Sequence, residues 1–239
     1  MYSIEANQLT KQFGSFTAVD HICFQVKEGE IFGFLGANGA GKTTAIKMMS
    51  GLLQPTSGTA TIAGYDIRTQ SKLIKKSIGY MSQKFSLYGD LTVFENMQLF
   101  GTIYDIPRKE LKGRIMDSLK ELDMDRQANT LVDSIPLGWK QKLAFATAIL
   151  HRPKIVFLDE PTSGVDPIVR REFWKLIYQA ASQGVTILVT THYMDEAEYC
   201  NRISIMAEGQ LKLMGEPDDL KQQMGVDTIN DVFVKFVKR

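Results

Sequence analysis

The stretch Gly36-Ala37-Asn38-Gly39-Ala40-Gly41-Lys42-Thr43 constrains the fold of this chain more than any other. It places a glycine-rich loop, a lysine and a hydroxyl between an apolar run, Ile31 to Leu35, and the helix-compatible segment Ala45-Ile46-Lys47-Met48-Met49. In that setting the glycines let backbone N–H groups approach phosphate oxygens, Lys42 neutralises the outer phosphates, and the Thr43 hydroxyl is a ligand for Mg²⁺. With average residue usage, the bare pattern arises by chance in on the order of one chain in a hundred. The flanking strand and helix are what separate it from an ordinary glycine-rich turn.

Other runs fill in the architecture. Ile155 to Leu158 and Thr186 to Val189 are short continuous apolar blocks, the pattern of strands buried on both faces in a parallel sheet. They end in Asp159 and in Thr190-Thr191-His192, as Ile31 to Leu35 ends in Gly36. Ligands of open parallel sheets lie beyond the carboxyl ends of the strands, so three separated stretches point to one site. Ile22, Phe24 and Val26 instead alternate with polar residues, and Thr59 to Ala63 is a second strand-like run, which together predict an antiparallel sheet near the N-terminus. Between about residues 89 and 150 strand signals fade. Thr92-Val93-Phe94-Glu95 has the spacing of a capping box, and Leu111, Ile115, Leu119 and Leu122 recur at helical spacing. The expected fold is therefore α/β: a phosphate-loop core with a mainly parallel sheet, an N-terminal antiparallel β subdomain and an inserted helical subdomain, all in one domain spanning 1–239.

Bulk properties exclude several function classes. With 28 basic and 27 acidic residues the formal charge is +1, so no single-sign field favours nucleic acid or anionic lipid. Cys23 and Cys200 are too few for a disulfide framework and lack zinc-site spacing. The long uncharged stretch Met48 to Tyr65 is broken by Gly51, Pro55 and Gly58, so a soluble protein is expected, reaching a membrane only through a partner. Met1 to Phe16 has neither the basic start nor the apolar stretch of a secretory signal.

The ordered set of motifs resembles the nucleotide-binding subunit of ATP-binding cassette (ABC) transporters over nearly the whole chain. Gly36 to Thr44 is close to that family's phosphate loop, and Ile155-Val156-Phe157-Leu158-Asp159-Glu160-Pro161-Thr162-Ser163 to its second nucleotide motif. The resemblance implies ATP and Mg²⁺ as cofactors. It implies Mg²⁺ ligation by Thr43, Gln83 and Asp159, and water activation by Glu160 with His192 and Gln83 as further catalytic residues. It implies stacking of adenine on Phe13, although a core role for Phe13 is the alternative, with Phe16 close by. Taken alone, Gln83 reads as a solvated loop residue, Gly164 as a turn glycine and His192 as a turn residue; His21 and His151 are expected to be structural.

Ser163-Gly164-Val165-Asp166 resembles the loop that crosses between two subunits, with Asp166 organising that interface. Ile135-Pro136-Leu137-Gly138-Trp139 departs from the family signature Leu-Ser-Gly-Gly-Gln, lacking the serine and the first glycine. Gly138 still permits close backbone approach, and Pro136 suits a helix start. This variant, together with Phe85-Ser86-Leu87-Tyr88-Gly89-Asp90-Leu91-Thr92-Val93, resembles the ATPases of ABC-2-type exporters. The implied protein is a motor subunit that dimerises on ATP and docks a transmembrane permease near Gln83 to Ile106, at the cytoplasmic face of the inner (plasma) membrane, with no nucleic-acid partner. An ATP-bound switch that scarcely hydrolyses and a soluble ATPase acting on nucleic acid are the competing readings.

Overall fold

The computed structural model describes residues 1–83 and 87–237. Phe85 and Ser86, which carry part of the exporter resemblance and of the expected docking region, lie outside the described residues. The chain opens with a hairpin of two long strands, β1 (Tyr2–Phe13) and β2 (Phe16–Lys27), to which β4 (Ser57–Ile62) and β5 (Tyr65–Asp66) add in the order β2-β1-β4-β5. All three pairings are antiparallel. On β2, Ile22, Phe24 and Val26 are buried while Cys23, Gln25 and Lys27 face out, the alternation of a sheet with one wet face.

The second sheet has the order β10-β9-β3-β8-β7-β6. It comprises β3 (Ile31–Leu35), β6 (Ile78–Met81), β7 (Ile155–Asp159), β8 (Thr186–Thr191), β9 (Arg202–Ala207) and β10 (Gln210–Gly215). The first five run parallel and β10 pairs antiparallel at the edge. The period of two along a strand explains the continuous apolar runs. Phe32 and Phe34 of β3, with Ile155 and Phe157 of β7, join the core shared with the antiparallel sheet. Ile31, Leu35, Val156 and Leu158 face the opposite core. Phe24 of β2 meets Phe32 and Phe34 at centroid separations of 5.7 and 5.0 Å, so three aromatic rings tie the two sheets together.

Helix α1 (Lys42–Met49) packs its Ala45, Ile46, Met48 and Met49 into the first core. On the other face lie α6 (Pro167–Ser182), α7 (Pro217–Met224) and α8 (Ile229–Val237), contributing Phe173, Trp174, Ile177, Leu220 and Val232. Helix α2 (Ser71–Ser77) precedes β6. Between β6 and β7 the chain forms α3 (Val93–Ile103), α4 (Arg108–Glu121) and α5 (Leu137–Ile149), around a third cluster that includes Val93, Met97, Ile115, Leu119 and Leu143. Thr92 and Glu95 form the reciprocal capping box expected at the start of α3. Helix α5 joins the two regions, since Leu143 and Ala146 belong to the third cluster while Ala144 and Phe145 belong to the second. Among the described residues no helix is long and apolar enough to cross a membrane.

Two elements differ from the sequence reading. The strand near Thr59 runs Ser57–Ile62, and Ala63 instead turns at φ 52. β1 is far longer than its residue pattern shows, because register shifts interrupt it and Gln8 sits at φ 51, which breaks the alternation that marks a strand.

Candidate active site at the phosphate loop

Four parallel strands deliver the site. β3 ends at Leu35, the loop Gly36 to Gly41 comes next, and α1 begins at Lys42. Gly41 caps that helix with φ 106, and a Cβ there would lie 2.5 Å from the Ala18 carbonyl oxygen, so no other residue fits this turn. Ala37, Asn38 and Gly39 are exposed or nearly so, Ala40 is buried, and Thr44 is half-buried in the first turn of α1. The Lys42 side chain is only 3% exposed. Its ammonium donates to the carbonyls of Gly36 (2.8 Å) and Ala37 (3.1 Å) and lies 3.4 Å from Glu160 Oε1.

Asp159 ends β7, and its Oδ1 accepts hydrogen bonds from Thr190 Oγ1 at 2.7 Å and Thr43 Oγ1 at 3.0 Å. Burial pushes this carboxyl above the usual carboxylate range, against the pull of the two hydroxyl donors. Glu160 is the next residue, at φ 50, a left-handed conformation uncommon outside glycine and enriched at functional sites. Its N–H donates to the Thr190 carbonyl at 3.1 Å, which fixes the turn. At the other carboxylate oxygen, Oε2, Gln83 Nε2 donates at 3.0 Å and His192 Nδ1 lies at 3.0 Å. Glu160 is thus 7% exposed, with groups from the ends of β3, β6 and β8 converging on it. A carboxylate so placed beside a phosphate cradle can accept a proton from water or orient that water.

The structure brings Gln83, Lys42, Thr43, Asp159, Glu160 and His192 together. Phe13, Gly138 and Asp166 stand elsewhere. Phe13 is half exposed at the tip of the β1–β2 hairpin, opposite Phe16, with the Lys11 ammonium 5.1 Å from its ring centroid. Asp166 is the N-cap of α6, accepting from the N–H groups of Ile168 (2.9 Å) and Val169 (3.1 Å). Gly138 lies in the first turn of α5, where its approach is to α6: a Cβ would fall 2.6 Å from Val169 Cγ1. Gln141 of α5 donates to the Ser163 carbonyl at 3.1 Å, so the loop 163–166 is held between the two helices.

Because Val169 is β-branched and stiff, Gly138→Ala is expected to lower stability by about 1–3 kcal/mol through overpacking. The companion change Val169→Ala should recover most of that loss in a denaturant titration; a double variant as unstable as Gly138→Ala alone would show that the contact is not the cause.

Several contributors carried no sequence signal. Thr190 clamps Asp159 through its hydroxyl and Glu160 through its carbonyl, yet in the sequence it is only a strand end. Behind His192, the fully buried Glu196 accepts from Thr162 Oγ1 at 2.5 Å and lies 3.6 Å from Arg170 Nε. The Arg170 guanidinium in turn stacks 3.8 Å over the Tyr193 ring, which ties the loop after Glu160 to the loop after His192. His151 stacks on Tyr104 at 3.7 Å, and its Nε2 lies 3.1 Å from the Ile78 carbonyl. Burial lowers its pKa to about 4, so it is a neutral linker between α3, α5 and β6, the structural part expected of it. His21 is exposed beside Asp20.

Residues 19–163 match the family described as ABC transporter. The probable multidrug ABC transporter ATP-binding protein YbhF of Escherichia coli (strain K12) is 49% identical over 239 residues, covering 98% of this chain and 41% of that protein. The chain therefore spans about two fifths of that relative. The linearmycin resistance ATP-binding protein LnrL of Bacillus subtilis (strain 168) is 36% identical over 227 residues, covering 95% of this chain and 73% of the relative. Among solved structures, an ATP binding subunit of an ABC transporter superposes with a TM-score of 0.88 at 28% identity, covering 98% of both chains. The ATP-binding cassette MJ0796, described as dimeric in a post-hydrolysis state bound to ADP and Pi, gives a TM-score of 0.80 at 26% identity, covering 89% of this chain and 98% of that one.

Proposed function

The chain belongs to the ATP-binding proteins of the ABC transporter family, and on that premise we propose that it is a motor subunit that binds ATP at the Gly36–Thr44 loop and hydrolyses it with Glu160 as the base. The observation that carries the reading is the Glu160 carboxylate, held beside the Lys42 ammonium by Gln83 and His192. Lys42 and the loop N–H groups hold the outer phosphates. Glu160 takes the proton of the attacking water, and Gln83 orients that water. His192 donates to a γ-phosphate oxygen.

The donor set fits a divalent cation. Thr43 Oγ1 and Asp159 Oδ1 lie 3.0 Å apart, and Gln83 Nε2 donates to the neighbouring Glu160 Oε2 at 3.0 Å. Among the described residues no group of three or more His, Cys, Asp or Glu side chains makes a metal cage, which suits Mg²⁺, an ion that keeps its waters and takes most other ligands from substrate phosphates. Thr43, Asp159 and Gln83 would hold it, and when bound it neutralises charge on the transferring phosphoryl group.

Gly138 and Asp166 lie outside this cluster, and their role is across a dimer: the N-terminus of α5 and the loop 163–166 of a second copy close over the nucleotide. Closure and reopening drive export through a separate transmembrane permease, with the chain peripheral on the cytoplasmic face of the membrane. The whole of residues 1–239 acts as one unit, with the permease docking near Gln83 to Ile106. Phosphate release by the purified protein, alone and with its membrane partner, tests the reading. Saturable release supports it; ATP bound without release in either setting makes the protein a nucleotide-dependent switch instead.

A further inference from the structure

Glu160 and His192 sit on separate loops, and the ion pair that joins those loops is poorly built for stability. Glu196 is fully buried and the Arg170 side chain is 14% exposed, so both charges have largely left water. Their nearest atoms, Arg170 Nε and Glu196 Oε1, lie 3.6 Å apart, beyond ordinary hydrogen-bond length. Among the described residues Glu196 Oε2 has no hydrogen-bond partner. A buried pair with loose geometry and an unsatisfied oxygen offsets little of its own desolvation, and apolar side chains of the same volume would serve the core as well. What the charges supply is placement.

That placement has a fixed end and a working end. The fixed end is the first turn of α6, where Asp166 caps the N–H groups of Ile168 and Val169, the Arg170 N–H donates to the Asp166 carbonyl at 3.0 Å, and Val169 packs on Gly138. From there the guanidinium reaches the loop after β8: it lies 3.8 Å over the Tyr193 ring, and Nη1 is 3.3 Å from Asp195 Oδ2. Glu196 in turn accepts from Thr162, two residues beyond Glu160. Tyr193 is held between them, its N–H donating to Thr191 Oγ1 at 3.0 Å and its carbonyl accepting from the Glu196 N–H at 3.2 Å. Its ring centroid is 4.2 Å from that of His192. The imidazole therefore has two neighbours that bear on it, the Glu160 carboxylate and a ring clamped under a guanidinium.

We propose that Arg170 and Glu196 are positioning residues for His192: together they hold the Tyr193 ring, and the ring holds the imidazole where it meets a phosphate oxygen. This rests on the reading that His192 donates to bound ATP. Both residues act through His192 and not on the phosphates themselves. Arginine suits the task because one planar group stacks on the tyrosine face while its N–H groups face two carboxylates, which the compact ammonium of lysine cannot do.

Single-turnover phosphate release at saturating ATP, measured beside ATP affinity, tests this in the wild type, Arg170→Lys, Glu196→Gln, His192→Ala and each of the first two combined with His192→Ala. Arg170→Lys keeps a charge opposite Glu196, and Glu196→Gln keeps an acceptor for Thr162. Each should slow release by about tenfold with ATP affinity within about twofold of the wild type. Neither should slow it further once His192 is alanine, because the positioned group is gone. An equal further loss in the His192→Ala background overturns the proposal, since the pair then serves the fold at large. Wild-type release by either variant, or a parallel fall in ATP affinity, also overturns it. His192→Ala with wild-type release removes His192 from the mechanism, and this proposal with it. Imidazole proton NMR of the nucleotide-free protein gives a reading that needs no turnover: of His21, His151 and His192, the His192 resonance alone should shift in Arg170→Lys. An unmoved His192 resonance overturns the proposal. A wild type that binds ATP but releases no phosphate overturns the hydrolytic reading, and the resonance then decides this one.

Discussion

Glu160→Gln is expected to bind ATP within about twofold of the wild type while phosphate release falls by about 10²–10⁴-fold, the usual contribution of a positioned general base. The substitution preserves volume and keeps an oxygen for Gln83 to donate to at the Oε2 position. It removes the negative charge that lies 3.4 Å from the Lys42 ammonium, and with it the proton acceptor. Lys42 keeps its bonds to the Gly36 and Ala37 carbonyls, so the loop keeps its shape. Binding and turnover separate because the base acts on water and the loop acts on phosphate. Single-turnover phosphate release measured beside ATP affinity checks it, and a variant that hydrolyses ATP at the wild-type rate would remove Glu160 from the mechanism.

Lys42→Ala is expected to fail one step earlier. Each charge-assisted hydrogen bond contributes about 1.5–3 kcal/mol, so loss of the ammonium from a phosphate cradle should weaken ATP by about 10²-fold or more, with turnover falling in proportion. Stability of the nucleotide-free protein should fall as well. The Lys42 and Glu160 side chains are 3% and 6% exposed, and removing one partner of a buried pair costs about 3–5 kcal/mol in unfavourable cases. Gln83, whose Nε2 donates to the other Glu160 oxygen at 3.0 Å, offsets part of that loss. The expected result is a lower melting temperature together with lost ATP affinity, and Glu160→Gln in the same background should recover some stability by neutralising the orphaned carboxylate. Wild-type ATP affinity in Lys42→Ala would contradict the assignment of the phosphate site.

The convergence of side chains on Glu160 was legible in the sequence because the segments that carry them follow strands of the parallel sheet. Continuous apolar runs such as Ile155 to Leu158 mark strands buried on both faces, and the residues just beyond them must lie at the sheet's carboxyl edge. The capping box at Thr92 was legible for a similarly local reason. Contacts between distant positions were not. Nothing near Gly138 names Val169 as its neighbour, and nothing near Arg170 names Tyr193. Thr190 and Glu196 act through a hydroxyl, a carbonyl and a buried carboxylate whose partners, Asp159, Glu160, Thr162 and Arg170, are all distant in the sequence. The register shifts of β1 hid a strand of 12 residues, since alternation is the only local signal and bulges erase it.

The central claim is that one chain holds the nucleotide and the base, while a second copy completes the site through the start of α5 and the loop 163–166. Light scattering on size-separated Glu160→Gln, with ATP and then with ADP, tests it most directly. ATP should double the mass of the eluting species and ADP should leave a single chain; a single chain with saturating ATP would contradict the account.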